Sequence, residues 1–177
     1  MKSFITSILP GAIAAAALLT ATPSLAALKV GDTAPDFKLQ AATNGQVSTF
    51  SLAKALKSGP VVVYFYPKAF TSGCSLEAHE FSEAIPQFQA KHVTVIGVSA
   101  DDIGTLQKFS EQTCQGKFPV AADADAKVAQ EYDAKMPMMA MASRISYIVG
   151  QDGKITFVHD DMNAATHVKS LLAAIGQ

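Results

Sequence analysis

The sequence predicts an α/β fold, a central mixed sheet flanked by helices, and three observations carry that prediction. Two apolar runs, "PVVVYFY" and "VTVIGVSA", are continuous stretches of β-branched and aromatic residues, as expected of strands covered on both faces. The segment between them places Leu76, Phe81, Ala84, Ile85 and Phe88 near one face at helical spacing, so the two runs read as a parallel βαβ crossover. Near the C-terminus "RISYIVG" and "KITFVHD" are joined by "QDG", the pattern of an antiparallel hairpin. Parallel pairing early and antiparallel pairing late make the sheet mixed.

The 177 residues are 49% hydrophobic with a net charge of -1, which suits one core and offers no basic field for a nucleic-acid backbone. At the N-terminus Lys2 precedes an apolar stretch from Ile5 to Leu19, followed by "TPSLAA". That stretch is shorter than the roughly 20 residues a membrane-spanning helix needs, and Pro10-Gly11 interrupts it. Its flanks have the form of a secretory signal cut after Ala26. Residues 1–26 are therefore expected to be a signal peptide and 27–177 a single domain. The domain would be exported without stable membrane insertion after cleavage, into an oxidising space such as a bacterial periplasm.

After the turn-rich lead-in "KVGDTAPDFKL", "SLAKALKSG" reads as a short helix opened by Ser51 and closed by Gly59. Pro86 is expected to kink the long helix behind the first buried strand. The acidic start of "DDIGTLQKFSEQTC" and its recurring Ile103, Leu106 and Phe109 predict an amphipathic helix after the second strand. "FPVAAD" follows as a short strand, "ADAKVAQEYDA" as a short helix, and "NAATHVKSLLAAIG" as a closing helix capped by Asn163. The layout is thioredoxin-like.

The loop "PKAFTSGC" carries the chemistry. It puts Cys74 at the first turn of a helix, behind Gly73 and at the carboxyl end of a buried strand, where free backbone N–H groups and the helix dipole favour an anion. An ordinary thiol, with a pKa of about 8.5, is little ionised at neutral pH, and reactive cysteines need such surroundings. Thr71 offers a hydroxyl from the same loop, and Pro67 sets the chain direction where strand becomes loop.

Pro67, Thr71 and Cys74 stand as P-x-x-x-T-x-x-C, which resembles the active-site motif of peroxiredoxins, and "FYPKAFTSGCSLEAHEF" is most similar to their Q-type, bacterioferritin-comigratory branch. The resemblance spans the mature chain. It implies a thiol peroxidase that reduces hydrogen peroxide or organic hydroperoxides through a sulfenic acid on Cys74, without metal or organic cofactor. It also implies a thioredoxin-like dithiol reductant, which the sequence does not identify. The family's arginine partner for the sulfur matches Arg144, the only arginine in the chain. Its planar, permanently charged fork can hold a thiolate and a peroxide oxygen together, whereas a surface ion pair is the plainer alternative. Glu77 also matches the family pattern as a residue that orients the site; a solvated first-turn carboxylate is the alternative.

The chain departs from many Q-type members where they carry a resolving cysteine five residues after the first, because His79 stands there. His79 reads as a partly exposed structural histidine, and His92, His159 and His167 lack metal-ligand spacing. Some members of the branch resolve from the next helix, which makes Cys114 the predicted resolving cysteine. A structural disulfide is the rival: closing the loop of about 41 residues between Cys74 and Cys114 would contribute roughly 4 kcal/mol. An exported binding domain stapled in this way and a one-cysteine peroxidase remain open, as do monomer and dimer. The run "MPMMAM", Met136 to Met141, reads as adaptable apolar packing or a contact surface, with copper(I) ligation as the alternative.

Overall fold

The run predicted to be covered on both faces lies third from one edge of a seven-stranded sheet. In the computed structural model, which describes residues 27–176, the elements in chain order are β1 (Lys38–Thr43), β2 (Gln46–Ser51), α1 (Leu52–Ala55), β3 (Val61–Phe65), α2 (Ser72–Ala90), β4 (Thr94–Ser99), α3 (Ile103–Gln112), β5 (Val120–Ala122), α4 (Lys127–Glu131), β6 (Ile145–Val149), β7 (Ile155–Asp160) and α5 (His167–Ile175). The sheet order is β2-β1-β5-β4-β3-β6-β7. The β3–β4 and β4–β5 pairs are parallel and the remaining pairs antiparallel, so the sheet is mixed as expected. The signal-peptide expectation for residues 1–26 lies outside the described residues.

Alternation along β3 explains its unbroken hydrophobicity. Val62, Tyr64 and the following Tyr66 enter a core shared with Phe81 and Phe88 of α2, Leu106 and Phe109 of α3, and Leu171 of α5. Val61, Val63 and Phe65 point the other way, into a core with Leu52 of α1, Val128 of α4 and Tyr147 of β6. Tyr64 lies flat on Phe81, with ring centroids 4.2 Å apart. The same ring requires a glycine behind it, because a Cβ on Gly97 would stand 2.7 Å from Tyr64 Oη. Truncating a buried aromatic such as Phe81 to alanine would cost about 3–5 kcal/mol.

Two local expectations, on the lead-in and on Asn163, need correction. The lead-in "KVGDTAPDFKL" runs at Lys38 into a β1–β2 hairpin that the periodicity did not reveal, because both strands are short and the outer one is largely exposed. Its turn, Asn44-Gly45, has positive φ at both residues, 48° and 71°, which is the preference of a two-residue hairpin loop. Helix α2 runs unbroken from Ser72 to Ala90 through Pro86, whose missing N–H leaves the Ser82 carbonyl without its usual helical partner. Asn163 caps a 3₁₀ turn, Ala164–Thr166, rather than α5 directly; its side chain accepts from Ala165 N, and α5 begins at His167.

The methionine loop is a surface feature. The bridge Lys135↔Ala142 closes it, with Met136 N donating to Met141 O at 2.9 Å. Met138 is fully exposed at its tip and Met139 is half exposed, so packing into the core is not its role.

Candidate active site

Two strand ends and one helix start create the site. β3 delivers the chain through Tyr66 and Pro67 to the loop that opens α2, with Cys74 in the first helical turn. β6 pairs antiparallel with β3, and its register sets Ile145 opposite Phe65. The preceding residue, Arg144, therefore emerges beside the end of β3. Its guanidinium Nη2 donates to Cys74 Sγ at 3.4 Å. Gly73 makes room for this approach, since a Cβ there would stand 3.2 Å from Arg144 Nη2. Cys74 is 2% exposed and Arg144 5%, so a surface ion pair is excluded for the arginine.

The other guanidinium nitrogens are also held. Nη1 donates to Glu77 Oε2, and Nε donates to the Met162 carbonyl at 3.2 Å. Glu77, one turn beyond Cys74, is fully buried, which rules out the solvated-carboxylate alternative. Burial pushes its carboxyl up to about 8, against the lowering pull of Arg144. Burial alone would lower the guanidinium, but Glu77 and Cys74 outweigh it and hold Arg144 above its ordinary value.

Thr71 is exposed and caps α2 with its backbone only. Its hydroxyl donates to the Lys68 carbonyl at 2.9 Å, and among the described residues no hydrogen bond joins it to Cys74. The first-turn amides of α2 consequently have no side-chain cap and remain free to face an anion. Pro67 is half-buried at the loop entry. The loop is pinned by Asp101 behind β4, which accepts from Ala69 N at 2.7 Å and from the Ser99 hydroxyl at 2.9 Å. Phe70 adopts φ 64° and sets its half-exposed ring edge-on to Phe109, centroids 5.2 Å apart.

Cys114 lies just beyond α3, fully buried, and both cysteines are free thiols. Burial raises the Cys114 thiol well above its ordinary value. Its carbonyl accepts from Ser82 Oγ at 2.8 Å, and residues 74 and 82 are separated by roughly 12 Å along α2. His79, exposed rather than partly buried, sits between these levels with Nδ1 3.2 Å from Gln115 Nε2.

Asp101, Ser146 and His167 join the site without a motif to announce them; His167, unremarkable by metal-ligand spacing, is here for another reason. His167 is wholly buried, with Nδ1 2.8 Å from Ser146 Oγ and 3.6 Å from Glu77 Oε1. A signal was present: Ala164, His167, Val168 and Leu171 share the buried stripe of the last helical segment, a place where a histidine needs partners.

A buried thiol at a helix N-terminus, held against a buried arginine at the edge of a thioredoxin-like sheet, defines a thiol-based redox enzyme. The AhpC/TSA family model matches residues 30–158. A bcp protein of Helicobacter pylori is 34% identical over 154 residues, spanning 84% of this chain and 98% of the relative. Peroxiredoxin Bcp of Escherichia coli is 32% identical over 146 residues, spanning 79% and 90%. The crystal structure of peroxidoxin BcpB from Mycobacterium tuberculosis superposes with a TM-score of 0.77 at 28% identity, covering 84% of this chain and 97% of that one. The chain belongs to the AhpC/TSA family and is a peroxiredoxin similar to the Bcp proteins. It is an oxidoreductase with thiol-dependent peroxidase activity, taking a peroxide as oxidant and a thioredoxin-like reductant.

Proposed function

We propose that Cys74 is the peroxidatic cysteine, acting on hydrogen peroxide and organic hydroperoxides. The observation that supports this most is the 3.4 Å contact from Arg144 Nη2 to Cys74 Sγ at the start of α2. The thiolate attacks one peroxide oxygen and forms the S–O bond of a sulfenic acid as the O–O bond breaks. The electron pair leaves with the second oxygen, which takes up a proton and departs as water or alcohol. Arg144 and the first-turn amides near Gly73 and Cys74 stabilise the charge on that oxygen, and the Thr71 hydroxyl joins them when its O–H turns from the Lys68 carbonyl toward the peroxide. Glu77 orients Arg144, and Pro67 directs the loop. Phe70, Leu76 and Met162, all exposed and all within a few residues of the site or its partners, give the rim an apolar character that suits organic hydroperoxides.

Cys114 acts as the resolving thiol. Its sulfur attacks the Cys74 sulfenic acid, forms the Cys74–Cys114 disulfide and releases water; a dithiol reductant then restores both thiols. A buried, protonated Cys114 is a poor nucleophile, so the last turn of α3 and the first turn of α2 unwind to bring the two sulfurs together. The enzyme works outside the cytoplasm after cleavage behind Ala26.

The test is hydroperoxide consumption by the mature chain with a dithiol reductant, in wild type, Cys74→Ser and Cys114→Ser. Cys74→Ser is expected to abolish turnover, whereas Cys114→Ser keeps single-turnover oxidation but forms no intramolecular disulfide. A Cys74→Ser protein that reacts as fast as wild type would sink the peroxidatic assignment. A Cys114→Ser protein that recycles normally would favour the one-cysteine mechanism.

A further inference from the structure

His167 belongs to a closed ring of contacts around the active-site arginine. Arg144 Nη1 donates to Glu77 Oε2; the other oxygen of that carboxyl, Oε1, has no hydrogen-bond partner and faces His167 Nδ1 at 3.6 Å. On the far side of the imidazole, Nε2 lies 2.7 Å from the Asp161 carbonyl. The next carbonyl in the chain, that of Met162, accepts from Arg144 Nε at 3.2 Å and returns the path to the guanidinium. One short turn after β7 therefore grips both the histidine and the arginine. That turn is itself fastened, because the Asp161 carboxylate accepts from Asn163 N and from Thr166 Oγ1, each at 2.9 Å.

We propose that His167 is a positioning residue for the peroxidase reaction, holding the Glu77 carboxyl, and through it the Arg144 guanidinium, in the orientation that meets Cys74. The inference rests on the reading of Cys74 as the reacting thiol.

The protonation pattern follows from the partners. A carbonyl only accepts, so Nε2 carries the ring proton and Nδ1 presents its lone pair, which the Ser146 hydroxyl meets at 2.8 Å. The groups facing this ring are Glu77 from α2, Arg144 ahead of β6, His159 of β7 with ring centroids 4.6 Å away, and Asp161 in the turn. Burial, aided by His159 and Arg144 and opposed by Asp161, lowers the imidazole to about 4, so it stays neutral at working pH. Burial also keeps a proton on Glu77 until about pH 8. Oε2 is engaged by Arg144 and the Nδ1 lone pair by Ser146, so Oε1 rests against the polar edge of the imidazole at 3.6 Å as a close packing contact. A neutral imidazole there favours one rotamer of the carboxyl; an apolar side chain would leave Oε1 buried against nothing polar and free the carboxyl to turn.

The experiment compares wild type with His167→Phe, which fills the space without a nitrogen, and His167→Asn, which can return a polar atom toward Glu77. The readouts are the second-order rate of Cys74 oxidation by hydrogen peroxide in single turnover across pH 5 to about 9, and the thermal midpoint. His167→Phe is expected to slow oxidation about tenfold or more, as the Glu77 carboxyl and with it the guanidinium lose their fixed aim at Cys74, and to change the pH profile. His167→Asn should recover part of the rate. Equal rates and profiles in wild type and a folded His167→Phe protein would overturn the proposal. If His167→Phe does not fold, ¹⁵N signals of the His167 ring in wild type and Glu77→Gln decide: Nδ1 must shift while Nε2 stays, and an unmoved Nδ1 overturns it. Loss of reactivity at Cys74 in wild type itself would instead remove the peroxidatic assignment, so the two failures are distinguishable.

Discussion

Replacing Arg144 with lysine tests the geometry rather than the charge of the site. The guanidinium serves three partners through three separate nitrogens: Glu77 through Nη1, Cys74 through Nη2 at 3.4 Å, and the Met162 carbonyl through Nε at 3.2 Å. A lysine carries its charge on one nitrogen and cannot occupy these positions together. The fully buried Glu77 carboxyl and the Met162 carbonyl compete for the ammonium, so the weaker contact with Cys74 is the one lost. A hydrogen bond to a charged group is worth about 1.5–3 kcal/mol, which converts to roughly a 10- to 150-fold fall in the rate of Cys74 oxidation. The chain has no tryptophan to report the reaction by fluorescence. Single-turnover mixtures should therefore be quenched with a thiol-blocking reagent, and unblocked Cys74 counted by mass spectrometry in a Cys114→Ser background. A folded Arg144→Lys protein that oxidises within about twofold of its parent would refute the role given to the fork.

Gly73→Ala places a Cβ 3.2 Å from Arg144 Nη2, so the guanidinium must retreat by a few tenths of an ångström; oxidation should slow several-fold while the thermal midpoint barely moves, and an unchanged rate would count against close approach as the reason for glycine. Ser82→Ala removes the donor that ties the Cys114 carbonyl to α2 at 2.8 Å; loss of about 1 kcal/mol should speed disulfide formation roughly fivefold after a peroxide pulse, and a time course matching wild type would show that this bond does not restrain resolution. The pH dependence of stability has two opposed parts. Glu77, raised to about 8, contributes stability that is complete below the unfolded carboxyl value and lost as pH rises through about 8. His167, lowered to about 4, contributes stability present above the unfolded imidazole value and lost as pH falls through about 4. The two oppose each other where both titrate, so the clean signature is a falling thermal midpoint between the unfolded imidazole value and about pH 8; Glu77→Gln should flatten it, and a slope that survives would assign it elsewhere.

The parts of the fold visible in the sequence were those in which one strand feeds both cores. β3 could be read because Val61, Val63 and Phe65 enter one core while Val62 and Tyr64 enter the other, leaving no polar position in the run. The β1–β2 hairpin escaped the same reading for the opposite reason. Gln46, Val47, Ser48 and Thr49 of β2 are exposed, so the strand has no hydrophobic period, and only the Asn44-Gly45 turn marked it. Pro86 does not end α2, because the helix is held by Phe81, Ala84, Ile85 and Phe88 against the sheet on both sides of the proline.

The candidate site shows a similar division between what a motif carries and what only the fold assembles. Pro67, Thr71, Gly73, Cys74 and Glu77 lie within one loop and the first turns of a helix, so their relation is written in consecutive letters. Arg144 is 70 residues from Cys74, and it could be singled out only because the resemblance to peroxiredoxins implies an arginine at the start of a late strand, a place that the single arginine of the chain matches. The contacts that fix its orientation were invisible. The Met162 partner is a backbone carbonyl, which no residue type announces, and His167 lies 90 residues beyond Glu77 on a different helix. Its letter looks unremarkable until burial is known. A fully buried imidazole must satisfy two ring nitrogens, and Asp161 and Ser146 do so from one side each, which leaves the ring edge turned toward the unpartnered oxygen of Glu77. The chemistry of the first turn is thus legible locally, but the arginine's aim depends on the antiparallel register of β6 and on the turn that joins β7 to α5.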